Sequence, residues 1–297
     1  MVPPPFINGF TIQSELINTH HYTSNAKINL GLQVLNKRED GYHNIQSIFL
    51  EVDLEDALAF RPLPSYQLSV EGIDLPVDKS NLISKAYQLI RSMAGKVDTE
   101  YAIHLIKQIP IGGGLGGGSS NAAATLNALN HLWKLNFSLQ KLEKMGAEIG
   151  ADVPFFIKGG VQLVEGIGDI LTPVDPNLLE GYSFLLVVPP IRISTPWAYH
   201  ALNKTLQPNK RHPKFSPLSK PMKWELFDND FERVIRKTYP EISNIKEKLQ
   251  KAGALYAGLS GSGSTVFGVF DNHQKAEALL ENFSSYQTFL SSPVFRC

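Results

Sequence analysis

The sequence is poor in cysteine, in net charge and in long apolar runs. Cys297 is the only cysteine in 297 residues, so no intrachain disulfide can form, which fits a reducing compartment. The 28 basic side chains balance the 28 acidic ones, which gives no electrostatic reason to expect a nucleic-acid partner. No apolar run approaches the ~20 residues that a membrane helix needs. We therefore expect a cytoplasmic protein with neither a nucleic-acid nor a membrane partner.

Strand and helix patterns alternate along a chain that is long enough for two domains. Alternation and apolar runs predict strands over 25–32, 43–52, 102–109, 183–188 and 265–270, and a hairpin over 162–165 and 170–172. Apolar residues at helical spacing predict helices over 81–94, 120–132, 138–149, 231–238, 242–252 and 274–283. The polar, Pro-rich residues 203–223 predict a long surface loop. This order indicates an α+β fold, an α/β protein of two domains. A change of character near residues 173–182 predicts an N-terminal extension at 1–22, a first domain at 23–178 and a second at 179–297.

Glycine, by contrast, is concentrated in one place. The segment PIGGGLGGGSS runs from Pro110 to Ser120 between a predicted strand and a predicted helix, with six glycines in seven residues. Successive backbone N–H groups of such a loop can all point inward, and the helix start adds unpaired N–H groups and a positive dipole end. The loop is therefore predicted to bind an anion, most often phosphate. Ser119 and Ser120 could cap the helix, contact phosphate or help to hold Mg²⁺.

Two better-known phosphate loops do not fit this segment. The Walker pattern requires a Gly-Lys pair, which the loop lacks. The dinucleotide pattern G-x-G-x-x-G is met by Gly112, Gly114 and Gly117, but the fold would then need a second strand ending in Asp or Glu about 20 residues on. That region is predicted to be helical, so we reject hydride transfer. A glycine-rich turn without a ligand would carry an uncompensated cost in chain entropy.

PIGGGLG resembles the phosphate loop of the GHMP kinases, the superfamily of galactose, homoserine, mevalonate and phosphomevalonate kinases. Most of these loops continue with two serines, whereas Gly117-Gly118 stand here and Ser119-Ser120-Asn121 follow. This departure is similar to the branch that phosphorylates 4-diphosphocytidyl-2-C-methyl-D-erythritol in non-mevalonate isoprenoid synthesis. Four further stretches resemble that branch: NAKINLGLQVLNKREDGYH, SNLI (with Ser80 in place of Asp), GADVPFF and LSGSGSTVF.

The resemblance implies a fold, a reaction and its small-molecule partners. The N-terminal domain would be related to ribosomal protein S5 and carry the ATP loop, and the C-terminal domain would be ferredoxin-like. The γ-phosphoryl group of ATP would pass to the 2-hydroxyl of the cytidyl-diphosphate alcohol, with Mg²⁺ neutralising the phosphates. A monomer or weak homodimer is expected.

The resemblance also implies the roles of two charged residues. Asp152 would accept the proton of the attacking hydroxyl, and Lys27 would keep that carboxylate ionised and stabilise developing negative charge. From spacing alone a helix cap is the favoured interpretation of Asp152, because Pro154 follows it by two residues. The surrounding resemblance reverses that preference. The alternative for Lys27 is a solvated lysine on the polar face of a strand, which is usual for an isolated lysine, but its apolar neighbours on both sides favour function.

The remaining implied site residues divide between two ligands. The ATP set comprises Asn81, Lys107, Pro110, Gly112, Gly113, Gly114, Leu115, Gly116, Gly117, Gly118, Ser119 and Ser120. The substrate set comprises Asn29, Tyr42, His43, Thr195, Tyr199, Ser260, Gly261, Ser262 and Gly263. In that set Tyr42 and Tyr199 would cover opposite faces of the cytosine, and His43 would read its polar edge. Ordinary packing, a helix cap at Asn81 and a solvated Lys107 are the alternatives.

Two other functions stay open from the sequence. One is a GHMP kinase for a mevalonate-type or homoserine alcohol, against which Tyr42-His43 and Gly117-Gly118 argue. The other is a catalytically silent nucleotide-binding regulator on the same fold. Such a regulator should have lost its catalytic pair, whereas Lys27 and Asp152 are both present.

Overall fold

The computed structural model describes residues 19–203 and 218–296. Its first sheet has six strands: β1 (His20–Lys37), β2 (His43–Leu63), β3 (Gln67–Glu71), β4 (Glu100–Ile106), β5 (Val161–Glu165) and β6 (Ile170–Pro173). The order is β3-β4-β2-β5-β6, and β1 pairs with β2. All neighbours are antiparallel except β3 and β4. The 21-residue β2 joins the whole sheet.

Four helices pack on this sheet: α1 (Leu82–Met93), α2 (Gly117–Leu132), α3 (Leu139–Ile149) and α4 (Val153–Lys158). The sequence sets their ends locally. The Asn81 side chain accepts a hydrogen bond from the Ile83 N–H at 2.9 Å and so caps α1. Ser138 caps α3 in the same way, and Gly150 ends it. These caps account for how closely α1 and α3 follow the predicted bounds.

The second sheet has four strands: β7 (Ser183–Val188), β8 (Tyr256–Leu259), β9 (Val266–Phe270) and β10 (Gln287–Ser291). Its order is β10-β7-β9-β8, and every pair is antiparallel. Between β7 and β8 the chain forms α5 (Thr195–Asn203), α6 (Glu232–Thr238) and α7 (Pro240–Lys251), and α8 (His273–Ala278) lies between β9 and β10. Helices after the first and third strands of a 4-1-3-2 sheet make the predicted ferredoxin-like arrangement.

Strand β1 is buried on both faces, which the sequence only half predicts. Ala26, Ile28 and Leu30 belong to an apolar core shared with Phe184 and Phe267 of the second sheet. The alternate side chains of β1, expected to be solvated, are buried as well. The part of the first sheet around β1 is thus enclosed between the helices and the second sheet, and the polar residues at the centre of β1 lie inside the molecule.

Several boundaries differ from the expectations. Strand β1 begins at His20, which pairs with Phe60, so the last residues of the expected extension 1–22 are already in the sheet. Helix α2 begins three residues before the predicted Ser120, at Gly117, and the predicted helix over 274–283 is broken into α8 and a 3₁₀ turn. Residues 1–18, residues 204–217 of the predicted surface loop, and Cys297 lie outside the described residues. The division into two domains stays a prediction.

After β10 the chain returns to the first sheet. The Asp53 N–H donates to the Ser292 carbonyl at 3.1 Å, and the Val294 N–H donates to the Glu51 carbonyl at 2.9 Å. Pro293 forms an antiparallel bridge with Val52 between these bonds. Residues 292–294 therefore add a short strand to β2, between the stretches of β2 that pair with β5 and with β4.

No helix among residues 19–203 and 218–296 is long and apolar enough to span a membrane.

Candidate active site

The glycine loop lacks side chains because its backbone is left-handed and closely approached. Gly112, Gly114 and Gly116 have φ of +74°, +79° and +71°, a region that residues with a Cβ rarely occupy. A Cβ on Gly114 would overlap the backbone carbonyl of Ser260 in the β8–β9 turn. Gly116 caps α2 with no side-chain bond, which leaves the first N–H groups of that helix free for an anion.

The loop is hydrogen-bonded to both sheets. Ser260 Oγ donates to the Gly114 carbonyl at 2.8 Å, and the Thr265 N–H donates to the Gly113 carbonyl at 3.1 Å. On the other side, the Lys27 N–H of β1 donates to the Leu115 carbonyl at 2.9 Å. These bonds fix the loop in place before any ligand arrives.

Two clefts meet at this loop. The smaller cleft, about 380 Å³, contains most of the expected ATP set: Asn81, Lys107, Pro110, Gly112, Gly114, Leu115, Gly116, Gly117, Gly118 and Ser119. The larger cleft, about 620 Å³, contains both expected catalytic residues and most of the substrate set: Lys27, Asp152, Asn29, Tyr42, His43, Thr195, Tyr199, Gly261 and Ser262. Gly114 and Gly116 line both clefts. A ligand in one cleft can therefore contact a ligand in the other, because no side chain of Gly114 or Gly116 separates them.

Four expected site residues do not line these clefts. Ser260 is fully buried and spends its hydroxyl on the Gly114 carbonyl. Gly263 packs against Ile193 and Leu259. Ser120 is 3% exposed, and Gly113 faces Thr265. Of the four, Ser260 supports the loop directly, through its bond to the Gly114 carbonyl.

Asp152 and Lys27 form an ion pair at the floor of the larger cleft. Lys27 Nζ lies 3.5 Å from Asp152 Oδ2, with side-chain exposures of 5% and 32%. Asp152 stands at the N-terminus of α4 but makes no capping hydrogen bond with its side chain, so the carboxylate is not used as a helix cap. The alternative of a solvated Lys27 is wrong, because the side chain is buried. A half-exposed carboxylate beside a buried ammonium suits proton acceptance from a bound alcohol.

A chain of hydrogen bonds orients Lys27 from below. Lys27 Nζ donates to Asn29 Oδ1 at 2.7 Å, and Asn29 Nδ2 donates to Ser47 Oγ at 3.0 Å. Ser47 donates in turn to the Gly31 carbonyl at 2.6 Å and is fully buried. This assigns the carbonyl end of the Asn29 amide to the lysine. Sequence reasoning placed Asn29 here and missed Ser47, because nothing local to Ser47 marks its pairing with β1.

We expect Ser47→Ala to lower kcat by about tenfold, since the freed Asn29 amide can then turn an N–H toward Lys27. The KM for ATP should stay close to the wild-type value, because Ser47 is remote from the smaller cleft. Steady-state kinetics measure both constants. Ser69→Ala, on the exposed part of β3, is the matched control. An unchanged kcat in Ser47→Ala would contradict this role for Ser47.

Asp56 organises the start of the glycine loop, and sequence reasoning missed it entirely. Its fully buried carboxylate accepts hydrogen bonds from Lys107 Nζ at 2.7 Å, from the N–H groups of Gln108 and Ile109 at 2.7 and 2.8 Å, and from Asn121 Nδ2 at 2.8 Å. The strand before the loop and the helix after it are thus tied to one carboxylate of β2.

Lys107 is committed to this network. Its Nζ also donates to the Ile109 carbonyl at 2.6 Å, and its side chain is 5% exposed. Burial lowers the pKa of the Lys107 ammonium below its ordinary value, and the Asp56 carboxylate opposes that shift. The alternative of a solvated lysine is wrong. Lys107 lines the smaller cleft through a side chain whose charge is already paired.

Asn81 lines the smaller cleft but its amide is also engaged. It accepts from the Ile83 N–H and donates to the Pro76 carbonyl at 2.7 Å. The helix-cap alternative is therefore confirmed for Asn81. Any contact with a nucleotide would be made around an amide that already has one donor and one acceptor bond inside the protein.

Three aromatic residues of the expected substrate set lie in the larger cleft, and two of them are in contact. Tyr199 stacks on His43, with ring centroids 5.0 Å apart and planes at 22°, which leaves no room for a base between these two rings. His43 Nε2 lies 2.6 Å from Asn203 Oδ1, and Tyr42 is 62% exposed at the cleft mouth. Burial raises the pKa of the Tyr199 phenol to about 12, and the negative charge of Asp152 adds to the shift. Tyr199 therefore stays neutral at physiological pH.

No group of three or more His, Cys, Asp or Glu among the described residues is placed to hold a metal ion. Of the two serines considered for Mg²⁺, only Ser119 lines the smaller cleft. The Ser119 hydroxyl, at the start of α2, thus lines the smaller cleft, and the Asp152 carboxylate lines the larger one. This donor set suits a Mg²⁺ ion carried mainly by phosphate and water.

Two family profiles match the chain, the GHMP kinases N terminal domain at residues 81–160 and GHMP kinases C terminal at residues 209–287. The loop, the two clefts and these matches define a small-molecule kinase that uses ATP as a substrate. The homoserine kinase of Cytophaga hutchinsonii is similar in fold, with a TM-score of 0.68 at 19% identity over 93% of this chain and 95% of that chain.

Relatives with higher sequence identity show which kind of small-molecule kinase this is. The 4-diphosphocytidyl-2-C-methyl-D-erythritol kinase of Thermodesulfovibrio yellowstonii is 40% identical over 88% of this chain and 93% of its own length. A crystal structure of a 4-(cytidine 5'-diphospho)-2C-methyl-D-erythritol kinase has a TM-score of 0.78 at 29% identity, covering 93% of this chain and all of that chain. The chain belongs to the 4-diphosphocytidyl-2-C-methyl-D-erythritol kinase family of the GHMP kinases.

Proposed function

We propose that this kinase transfers the γ-phosphoryl group of ATP to the 2-hydroxyl of 4-diphosphocytidyl-2-C-methyl-D-erythritol, a step of non-mevalonate isoprenoid synthesis. The observation that carries the proposal is the pair of clefts that share Gly114 and Gly116. ATP binds in the smaller cleft with its phosphates on the glycine loop. The cytidyl alcohol binds in the larger cleft, over Asp152 and Lys27.

The two catalytic residues act on the alcohol together. Asp152 accepts the proton of the 2-hydroxyl as the oxygen attacks phosphorus. The Lys27 ammonium has three N–H donors, of which one is held by Asn29 and one faces Asp152. Nζ also lies 4.3 Å from the centroid of the Phe49 ring. The positive charge of the ammonium stabilises the negative charge of the reacting oxygens. Because phosphoryl transfer is largely loose, alignment of the two ligands supplies most of the acceleration.

Mg²⁺, when bound with the nucleotide, neutralises phosphate charge. Ser119 is the side chain of the smaller cleft that would contact it, and the helix start of α2 supplies N–H groups to the phosphates. The phosphates and the ion would thus be held by the backbone of the loop, the N-terminus of α2 and the Ser119 hydroxyl.

The cytidine end is assigned to the mouth of the larger cleft. Tyr42 is exposed there, beside the stacked His43 and Tyr199. Because the last two rings are already in contact, we place the base against Tyr42 on one side and the outer face of the His43–Tyr199 stack on the other. His43 Nε2 and Asn203 Oδ1 bond each other. The other polar atoms of these two side chains then select cytosine over other bases by hydrogen bonds.

ADP release in a coupled assay with Mg²⁺ tests the proposal. Turnover is expected with the cytidyl alcohol, with competition by CMP, and is not expected with homoserine or mevalonate. Turnover with one of the other two alcohols and no effect of CMP would overturn the cytidine site and keep the kinase. ATP binding without turnover on any alcohol would instead favour a silent nucleotide-binding regulator.

A further inference from the structure

Glu51 of β2 is a buried carboxylate that the reaction does not use. It is fully buried and lies opposite Lys27 in the β1–β2 register, on the same face of the sheet. Its Oε2 accepts the Gly160 N–H at 2.7 Å, and its own N–H donates to the Gly160 carbonyl at 2.9 Å. A buried carboxylate of this kind requires a counter-ion, because desolvation of an unpaired charge is costly.

That counter-ion is Arg296, from the segment that returns after β10. Arg296 Nε donates to Glu51 Oε2 at 2.9 Å, and Nη2 donates to Oε1. The guanidinium thus binds both carboxylate oxygens. Only arginine has the planar fork of N–H donors that matches a carboxylate in this way. A Cβ on Gly159 would overlap both side chains, so the chain between α4 and β5 is shaped around this pair.

The pair lies at one end of α4, and Asp152 lies at the other. Helix α4 has six residues and is therefore about 9 Å long. Its C-terminal end is fixed by Glu51 through Gly160, and by Gln162 Nε2, which donates to the Gly159 carbonyl at 2.8 Å. Phe155 packs edge-on against Phe49 of β2 beneath it. Because α4 is so short and rigid, a displacement of its C-terminal end also displaces Asp152 at its N-terminal end.

We propose that Arg296 is a positioning residue for the kinase reaction, which acts through Glu51 and α4 to hold Asp152 against Lys27. The inference rests on the proposed function, because Asp152 is taken as the proton acceptor. Residues 292–296, which follow the last strand of the second sheet, thereby complete the active site of the first sheet from behind.

Four variants test this role: Arg296→Met, Arg296→Lys, Glu51→Gln and the double variant Arg296→Met/Glu51→Gln. Arg296→Met leaves the buried carboxylate unpaired and should lower kcat by about 10- to 100-fold, with the KM for ATP unchanged within about twofold. The double variant removes the unpaired charge but keeps an acceptor for the Gly160 N–H. It should regain kcat to within about threefold of Glu51→Gln. Arg296→Lys should fall between wild type and Arg296→Met, since lysine offers a charge without the fork.

Arg236→Met is the matched control, because Arg236 is exposed on α6 and should leave both constants unchanged. Wild-type kcat in folded Arg296→Met would overturn the proposal, and so would a loss of kcat that Glu51→Gln does not restore. If Arg296→Met does not fold, the double variant carries the test, and its inactivity in a folded state would overturn the proposal.

Failure of the proposed function is separable from failure of this inference. If the wild-type enzyme turns over an alcohol other than the cytidyl compound, the proposed substrate is wrong. The kcat values of the Arg296 and Glu51 variants would then be compared on that alcohol. Turnover of the cytidyl alcohol by wild type and equally by Arg296→Met would overturn the positioning role alone.

Discussion

Asp152→Asn is expected to lower kcat by about 10²- to 10⁴-fold while ATP binds as in wild type. An amide cannot take the proton of the attacking hydroxyl, although it fills the same space between Lys27 and the larger cleft. Among the described residues, Asp152 is not one that lines the smaller cleft. The nucleotide site should therefore be intact in Asp152→Asn. ADP release measures the loss, and calorimetric titration with ATP measures the binding.

Asp271→Asn is the matched control for that substitution. Asp271 is exposed just after β9, at the start of the chain leading to α8, and its replacement should leave kcat unchanged. If Asp152→Asn turns over at the wild-type rate, the carboxylate is not the proton acceptor. If it loses ATP binding as well, Asp152 contributes to the nucleotide site and the separation of the two clefts is wrong.

Asp56→Ala is expected to cost about 3–5 kcal/mol in the free energy of unfolding, the range for breaking a buried ion pair from one side. The change strands the buried Lys107 ammonium and leaves the N–H groups of Gln108 and Ile109 without their acceptor. Because these groups begin the glycine loop, the KM for ATP should rise in whatever fraction remains folded. Urea unfolding measures the first effect and steady-state kinetics the second.

Glu55→Ala provides the comparison, since its exposed side chain lies one position before Asp56 on the same strand. Its unfolding free energy should stay within about 0.5 kcal/mol of wild type. If Asp56→Ala lowers the free energy of unfolding by less than about 1 kcal/mol, water or a neighbouring group replaces the carboxylate. The Asp56 network would then not be required to hold the loop.

The local features of the fold could be predicted from the sequence. Alternation located the core of β1, and the continuous apolar run at residues 183–188 located β7. Asn81 and Ser138 cap the helices that follow them and Gly150 ends α3, so each of these helix ends has a signal in the neighbouring residues. The order strand, glycine loop, helix was predicted correctly, because glycine density is itself a local signal. The ferredoxin-like sheet followed from the family resemblance, which the comparisons confirm.

The partners of buried polar groups could not be predicted in this way. Asp56 lies 51 residues before Lys107, and Glu51 lies 245 residues before Arg296. No periodicity in the chain connects such residues, since only the folded sheet brings them together. For the same reason the sequence did not reveal that Lys107, expected in the ATP set, is paired with Asp56, or that Ser260, expected in the substrate set, donates to the Gly114 carbonyl.

The bonds from the glycine loop to Ser260, Thr265 and Lys27 also have a thermodynamic consequence. A ligand that binds only the folded loop stabilises everything that must be folded for the loop to exist. Because the loop is fastened to β1 on one side and to the β8–β9 turn on the other, that set includes both sheets. Saturation with nucleotide should therefore raise the melting temperature of the two sheets together, as one cooperative transition rather than two.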